Sequence, residues 1–436
     1  MDGIIPIVPA TVLLLDLSSN HFSQWPSPFT FRVSYLLLSN NRLTGDIPIS
    51  ICHTNLLLLD LSYNHLNGTM PPCLYGSTAA LLQIINLKSN NLSGTFPRYI
   101  TNRCALRTLI LSGNKINGSL PQWLVNCTDL EVLDLANNEI RNTFPYFLGN
   151  LQNLRVLVLR SNQFYGTISN MEMNNMINDS IFPMLQVFDV SSNSLIGTWP
   201  KNFFGFLKAM VKNSDTRNQT ISYQYEYSYY HDSVTVTFKG RDMDIRNSLG
   251  IFNSLDLSNN GFWGEIPEEI GQLKSLDLLN LSHNAFTGLI PCQLTNLEQL
   301  ESLDLSFNRL SGHIPQVLTS LTFLETLNLS YNNLVGEIPQ ANQFLTYKND
   351  SYLGNPGLCG IPLTVQCRAP PLYHGMNEPP SKSSSTDDIP IGLSISIGVG
   401  FAVGFASIIW VLVSWENGRK WLYFKVDRLY FMHFYR

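Results

Sequence analysis

Three stretches of this chain are near-copies of one phrase: "LDLLNLSHNAFTGLIP" (276–291), "LESLDLSFNRLSGHIP" (300–315) and "LETLNLSYNNLVGEIP" (324–339). A phrase that returns at a fixed interval must fold as a stack of equivalent units, so the period is read before any local propensity. Aligned on the Asn that closes LxxLxLxxN, the anchors are Asn20, Asn41, Asn64, Asn90, Asn114, Asn138, Asn162, Asn193, Asn260, Asn284, Asn308 and Asn332. The steps from Asn90 to Asn162 and from Asn260 to Asn332 are each 24 residues.

The pattern has a direct physical reading. In "LESLDLSFN", Leu300, Leu303 and Leu305 point into a coil, while Glu301, Ser302, Asp304, Ser306 and Phe307 face outward. The LxL segment is a short strand, and successive strands are expected to stack about 4.8 Å apart in one parallel sheet. Asn308 stands where the chain turns, and its amide can bond the buried turn backbone as one rung of a ladder. Leu310 is a further plug, Gly312 allows a tight backbone, and Pro315 stops a helix from continuing. Ordering one coil costs more than its few buried leucines return, so a coil holds only when its faces are covered by neighbours. The expected fold is a leucine-rich repeat solenoid of the α/β horseshoe type, with short parallel strands on the concave face.

The rhythm breaks twice. From Asn162 to Asn193 the step is 31 residues, and from Asn193 to Asn260 it is 67. The second gap contains "ISYQYEYSYYHDSVTVTFKGRDMDIRNS", where "SVTVTFKG" alternates like a half-exposed strand. After the last repeat, "GNPGLCGIPLTVQC" reads as a cap over the final coil, which Cys359 and Cys367 can staple across a short loop. Cys52 and Cys73 lie 21 residues apart, and Cys104 and Cys127 lie 23 apart; each interval is one coil, a spacing compatible with bridges between neighbours. Cys292 is left over. Nine N-x-S/T sequons (Asn67, Asn91, Asn117, Asn126, Asn178, Asn218, Asn280, Asn328 and Asn349) favour passage through the secretory pathway. Asn280 and Asn328 lie on concave strands and are expected to stay bare.

Composition serves mainly to exclude. Charged residues make up 14% and the net charge is −5, which speaks against a nucleic-acid partner. No CxxC pair, nucleophile–base set or nucleotide loop is present, so neither an enzyme nor a cofactor is expected. Residues 391–415, "IGLSISIGVGFAVGFASIIWVLVSW", carry no charge. At 1.5 Å per residue they give about 37 Å of helix, enough to cross a membrane with tilt. Gly392, Ser396, Gly400 and Gly404 fall four apart along it, a small-residue face that lets another helix approach. Residues 416–436 carry five basic side chains against two acidic ones, which places the tail in the cytoplasm.

The organisation expected is an array of about eight repeats over 1–200, an island over 201–250 and four terminal repeats over 251–340. A cap (341–367), a Pro/Ser-rich acidic stalk (368–390), a transmembrane helix (391–415) and a short basic tail (416–436) complete it. The phrases "GDIP" (45–48), "GEIP" (264–267), "GLIP" (288–291), "GHIP" (312–315) and "GEIP" (336–339) look like the plant-specific leucine-rich repeat. With "NPGLCGIPL" and a single span, the order of parts resembles plant receptor-like proteins. That resemblance implies a plasma-membrane glycoprotein, single-pass and of type I, with its repeats outside the cell. It also implies an extracellular peptide, protein or glycan ligand and signal transduction through a receptor-like kinase adaptor and co-receptor, most often in plant defence. The island and terminal repeats would meet ligand and co-receptor.

By the same resemblance the strands' outward face is polar, and Asp16, Asp60, Asp134, Asp189, Asp256 and Asp304 hold one column of it. Ile110 and Val158 take that place in two coils, beside Arg107, Arg155 and Arg160. This convergence, together with Tyr225, Tyr227 and Tyr229 of the island, is the candidate ligand patch. The family pattern opens with a signal peptide and an N-terminal cap, whereas "MDGIIPIVPATVLLLDLSSN" enters a repeat at once. A shortened member or an incomplete gene model is expected on that ground. The other function classes left open are a developmental peptide receptor, an inhibitor of a wall-degrading glycosidase, and a truncated decoy that does not signal.

Overall fold

The computed structural model describes residues 1–6, 12–27, 32–75, 81–100, 104–168, 181–211, 233–238, 241–246 and 252–367. One repeat shows how the rest are built. Leu300, Leu303, Leu305, Leu310, Leu318 and Leu321 are all buried in the coil interior, and Ile314 joins them. The segment Ser302–Asp304 is the strand, three residues long, because the chain must turn as soon as the third leucine of the phrase is inside.

Twelve such strands form one parallel sheet in chain order, from Leu14–Asp16 to Thr326–Asn328. Register is kept from coil to coil: Ile110 pairs with Asp134, Asp134 with Val158, and Val158 with Asp189. Coils are numbered here 1 to 12 by their closing Asn, from Asn20 to Asn332. The two breaks leave this sheet undisturbed. Coil 9's strand, Ser254–Asp256, pairs directly with coil 8's, Val187–Asp189, across the long excursion. Within that excursion Ser233–Phe238 and Arg241–Arg246 form an antiparallel hairpin with Phe238 opposite Arg241. The first of these strands is the stretch whose alternation marked it in the sequence.

The outer side departs from the α/β expectation. Among the described residues, a coil turns back through a single 3-10 turn, as in Cys292–Asn296 or Gln316–Ser320, rather than an α-helix. Pro315 starts the turn at φ −61°, and Leu321 must already be inside six residues later, which leaves room for one tight turn only. Two four-residue α-helices, Phe203–Phe206 and Lys208–Val211, lie where the chain leaves the solenoid toward the hairpin.

A second set of strands runs along the flank, built from the segment before each proline. Tyr165–Thr167, Ser194–Gly197, Gly261–Glu265 and Ala285–Thr287 form one four-stranded parallel sheet there. Its glycines have a steric reason. Gly264 sits at φ +87°, and a Cβ there would come 2.9 Å from Thr198 Cγ2 of the preceding coil. Sequence reasoning assigned Gly and Pro to the turn correctly and missed this sheet.

The asparagines form the expected ladder. Asn308 Nδ2 donates to Leu305 O of its own coil at 3.1 Å and to Leu281 O of the preceding one at 2.9 Å. Its Oδ1 accepts from the N–H of Phe286 at 3.0 Å. The residue before each such Asn takes a left-handed backbone, with φ 52° at His283, 51° at Phe307 and 54° at Tyr331. The ladder continues into the cap, where Asn355 Nδ2 donates to Leu329 O and Oδ1 accepts from Leu334 N–H, each at 3.0 Å. This thirteenth anchor escaped the sequence reading, although it lies 23 residues after Asn332. Tyr352 fills the cap's interior, and the disulfides Cys52–Cys73, Cys104–Cys127 and Cys359–Cys367 are formed, leaving Cys292 free.

Replacing Asn308 by Ala strands the buried N–H of Phe286 and takes one bond each from the carbonyls of Leu281 and Leu305, which keep the amides of Asn284 and Asn332; this calls for a loss of about 1–3 kcal/mol. Urea unfolding of Asn308→Ala should show a lowered midpoint; a midpoint equal to that of the parent chain would mean that the ladder contributes nothing.

Candidate ligand-binding face

The concave surface is set by the residues that alternate with the buried leucines of each strand. Several of its aspartates turn inward on the backbone rather than out to water. Asp60 Oδ1 accepts from the N–H of Ser62 at 2.9 Å and from its hydroxyl at 2.7 Å. Asp189 Oδ1 does the same with Ser191, at 2.9 and 2.6 Å. The D-x-S spacing thus closes the strand's end as a local turn, a role that the sequence reading did not give it.

Across coils 5 to 8 the surface is apolar and covered. Ile110, Val132, Ala136, Val156, Val158 and Val187 pack in one buried cluster with Val236 of the hairpin. Lys88 of coil 4 donates from Nζ to Thr235 Oγ1 at 2.6 Å and so pins the same strand. This corrects the expected patch. Ile110 and Val158 are completely buried and cannot meet a ligand from solvent; they are the seat of the chain's own hairpin. Their departure from the polar background was a true signal with an intramolecular cause. Of the three arginines, Arg107 is paired with Glu131, Arg155 is half-buried, and Arg160 is buried with Nε 3.9 Å from Asp189 Oδ2.

Burial under the hairpin region sets the electrostatics. Loss of water pushes the Asp134 and Asp189 carboxyls above the usual carboxylate range, against the pull of Arg160 on both. Asp256 is pushed up to about 7, first by burial and then by the neighbouring Asp189. A carboxyl raised in this way keeps a proton in the fold that the unfolded chain has already lost, so its contribution is greatest in acid and fades as pH rises through about 7.

Coils 10 to 12 carry a different surface. Asn280 Nδ2 donates to Asp256 Oδ2 and Asn328 Nδ2 to Asp304 Oδ2, at 3.1 and 3.3 Å. Both sequon amides on these strands are therefore engaged. Beside them the rings of His283, Phe307 and Tyr331 stack at centroid distances of 4.2 and 4.3 Å. Phe307 and Tyr331 are 41% and 49% exposed, a continuous aromatic edge on the rim. The signal for it was in the phrases LSHN, LSFN and LSYN, and sequence reasoning passed over it.

The other sequence candidates divide simply. Asn67, Asn91, Asn126 and Asn349 are exposed and Asn117 half-exposed. Asn178 and Asn218, the tyrosines Tyr225, Tyr227 and Tyr229, and the segment 368–436 with Gly392, Ser396, Gly400 and Gly404 lie outside the described residues. Among the described residues no helix is long and apolar enough to cross a membrane.

Known proteins share this architecture. The Leucine rich repeat family matches residues 80–140 and 252–310, and a second Leucine Rich Repeat description matches 32–54, 55–77 and 323–345. Receptor-like protein 32 of Arabidopsis thaliana is 39% identical over 61% of this chain and 30% of its own length. Receptor-like protein 6 of the same plant is 50% identical over 60% of this chain and 26% of its own. The solved ectodomain of the Arabidopsis receptor kinase HAESA, in complex with an extended IDA peptide hormone, superposes with a TM-score of 0.63 at 28% identity. That match covers 84% of this chain and 54% of the other.

The coil geometry and these matches together define a leucine-rich repeat protein. Within that class the chain is similar to plant receptor-like proteins, and it spans about a quarter to a third of the length of the curated relatives it matches.

Thermal melts should give a midpoint that falls as pH rises from about 5 through about 7, with a slope of up to about 1.4 kcal/mol per pH unit from Asp256. Asp256→Asn should flatten that slope; an unaltered profile would mean that the Asp256 proton is not linked to folding.

Proposed function

We propose that this chain is a cell-surface receptor that binds an extracellular ligand on the open concave surface of coils 10 to 12. It signals in plant defence against pathogens, through a partner receptor-like kinase. The observation that carries this reading is the division of the concave face. Coils 5 to 8 are closed by the chain's own hairpin, while the terminal coils present the His283–Phe307–Tyr331 edge to solvent. Exposed aromatic rings held rigid by stacking are the kind of group that anchors a protein or peptide partner at low entropic cost.

The relatives' naming as receptor-like proteins supports a receptor, and the peptide hormone on the HAESA ectodomain supports an extended ligand. The same peptide complex favours, as the second reading, a developmental peptide signal. In either case the apolar segment 391–415 anchors the chain in the plasma membrane with its repeats outside, and Gly400 and Gly404 form the helix face that meets the kinase.

Co-precipitation of receptor-like kinases from plant membranes, before and after treatment with microbial extract, tests both halves. Phe307→Ala combined with Tyr331→Ala should abolish the elicited increase but leave the basal kinase association. Gly400→Leu combined with Gly404→Leu should remove the association itself. Recovery of the same kinase in equal amount from all three chains would defeat the reading.

A further inference from the structure

The flank opposite the hydrogen-bonded turn of each coil has a crease between the flank sheet and the 3-10 turns. Between coils 5 and 6 this crease is about 450 Å³ and is lined by such residues as Ser119, Gln122, Asn142 and Tyr146. Where the long excursion leaves the solenoid it widens to about 710 Å³, lined among others by Thr167, Thr198, Lys201, Trp263, Glu265 and Glu268. A second cavity of about 440 Å³ shares Glu265, Ile266 and Glu268 with it and continues to Gln293 and His313. Together they make one groove from coil 7 to coil 11, about 19 Å at the spacing of parallel strands.

Trp263 sets this stretch apart. Its position in the flank strand is occupied by small or polar residues such as Thr44, Ser93, Asn117, Thr287 and Ser311 in several coils and by Tyr165, Ile196 and Val335 in three others, so the indole is the largest side chain of this column. Here the indole is 55% exposed at the groove's edge. Behind it Trp199 forms part of the wall, 3% exposed, with its indole N–H lacking an acceptor among the described residues. An exposed indole beside hydroxyls and carboxylates offers a flat apolar face together with hydrogen-bond acceptors and donors. The strands forming the floor are already paired in their sheet, so the groove presents no free strand edge for an extended peptide. Glu265 and Glu268 outnumber Lys201 on the lining, and Glu268 Oε2 already accepts from Gln293 Nε2 at 2.7 Å. The groove therefore disfavours an anionic ligand.

We propose that this flank groove, with Trp263 at its edge, is a binding site for a short neutral oligosaccharide, distinct from the concave surface. The indole covers the C–H face of a sugar ring, while Thr167, Thr198, Glu265 and Glu268 bond its hydroxyls. The saccharide is either a free oligomer or an N-linked glycan of the chain itself, since the chemistry is shared.

The test uses the full chain, purified in detergent from a eukaryotic secretory host, titrated with cellohexaose, chitohexaose and an oligogalacturonide while tryptophan fluorescence and heat are followed. Saturable binding of one of the two neutral oligomers is expected, weakened at least about tenfold in Trp263→Ala and restored in Trp263→Phe. Because Trp263 is exposed, all variants should melt at the parent temperature. Binding that appears only after the chain's own glycans are removed enzymatically assigns the groove to an internal glycan, and binding in both states assigns it to a free one; either supports a saccharide site. No binding of either neutral oligomer, equal binding by Trp263→Ala, or tighter binding of the oligogalacturonide overturns it. The measurement needs no kinase, so its outcome is independent of the receptor reading.

Discussion

The asparagine amide at the end of each strand is the contact on which the rest of this molecule depends. A coil that turns three residues after its strand leaves carbonyls and N–H groups inside a greasy stack, where an unpaired polar group is costly. One side chain meets a carbonyl of its own coil and a carbonyl and an N–H of the preceding one, as Asn308 does for Leu305, Leu281 and Phe286. The amide therefore couples coils that the leucines alone would only place near each other. Its continuation at Asn355 makes the cap part of the same ladder, so the final coil is closed by its own kind of bond as well as by Tyr352 and a disulfide.

Much of the architecture was legible because the repeat carries its own alignment. The leucine plugs, the closing asparagines, the parallel strands and the spacing of paired cysteines all follow from a period that returns every coil. The parts that were not legible depend on contacts the period does not contain. Ile110 and Val158 stand out from their columns, yet nothing near them in the chain says that Val236, far along in the excursion, will cover them. The aspartates at strand ends read as surface because outward position was equated with exposure, whereas Ser62 and Ser191 draw them back onto the turn. The single 3-10 turn in place of a helix follows from the few residues between each proline and the next leucine, a length constraint rather than a propensity.

The concave face thus has two regimes on one sheet. Over coils 5 to 9 the molecule satisfies its own surface, at the expense of burying Asp134, Asp189 and Asp256 beside one buried arginine. Over coils 10 to 12 the strands carry Asn280, Asp304 and Asn328 in hydrogen bonds from coil to coil and border a rigid aromatic edge. Burial explains both the raised carboxyls and the loss of the first candidate patch, and the same division leaves the terminal coils as the surface open to partners.

The direct pairing of Val187–Asp189 with Ser254–Asp256 has a consequence for how such a chain diversifies. The stack registers the long excursion as one ordinary step, so the segment between these strands behaves as an interchangeable cassette. Its length can change without shifting the register of any rung, whereas the side chains that seat on the sheet, such as Val236 against Ile110 and Val158, are tied to the rungs they cover.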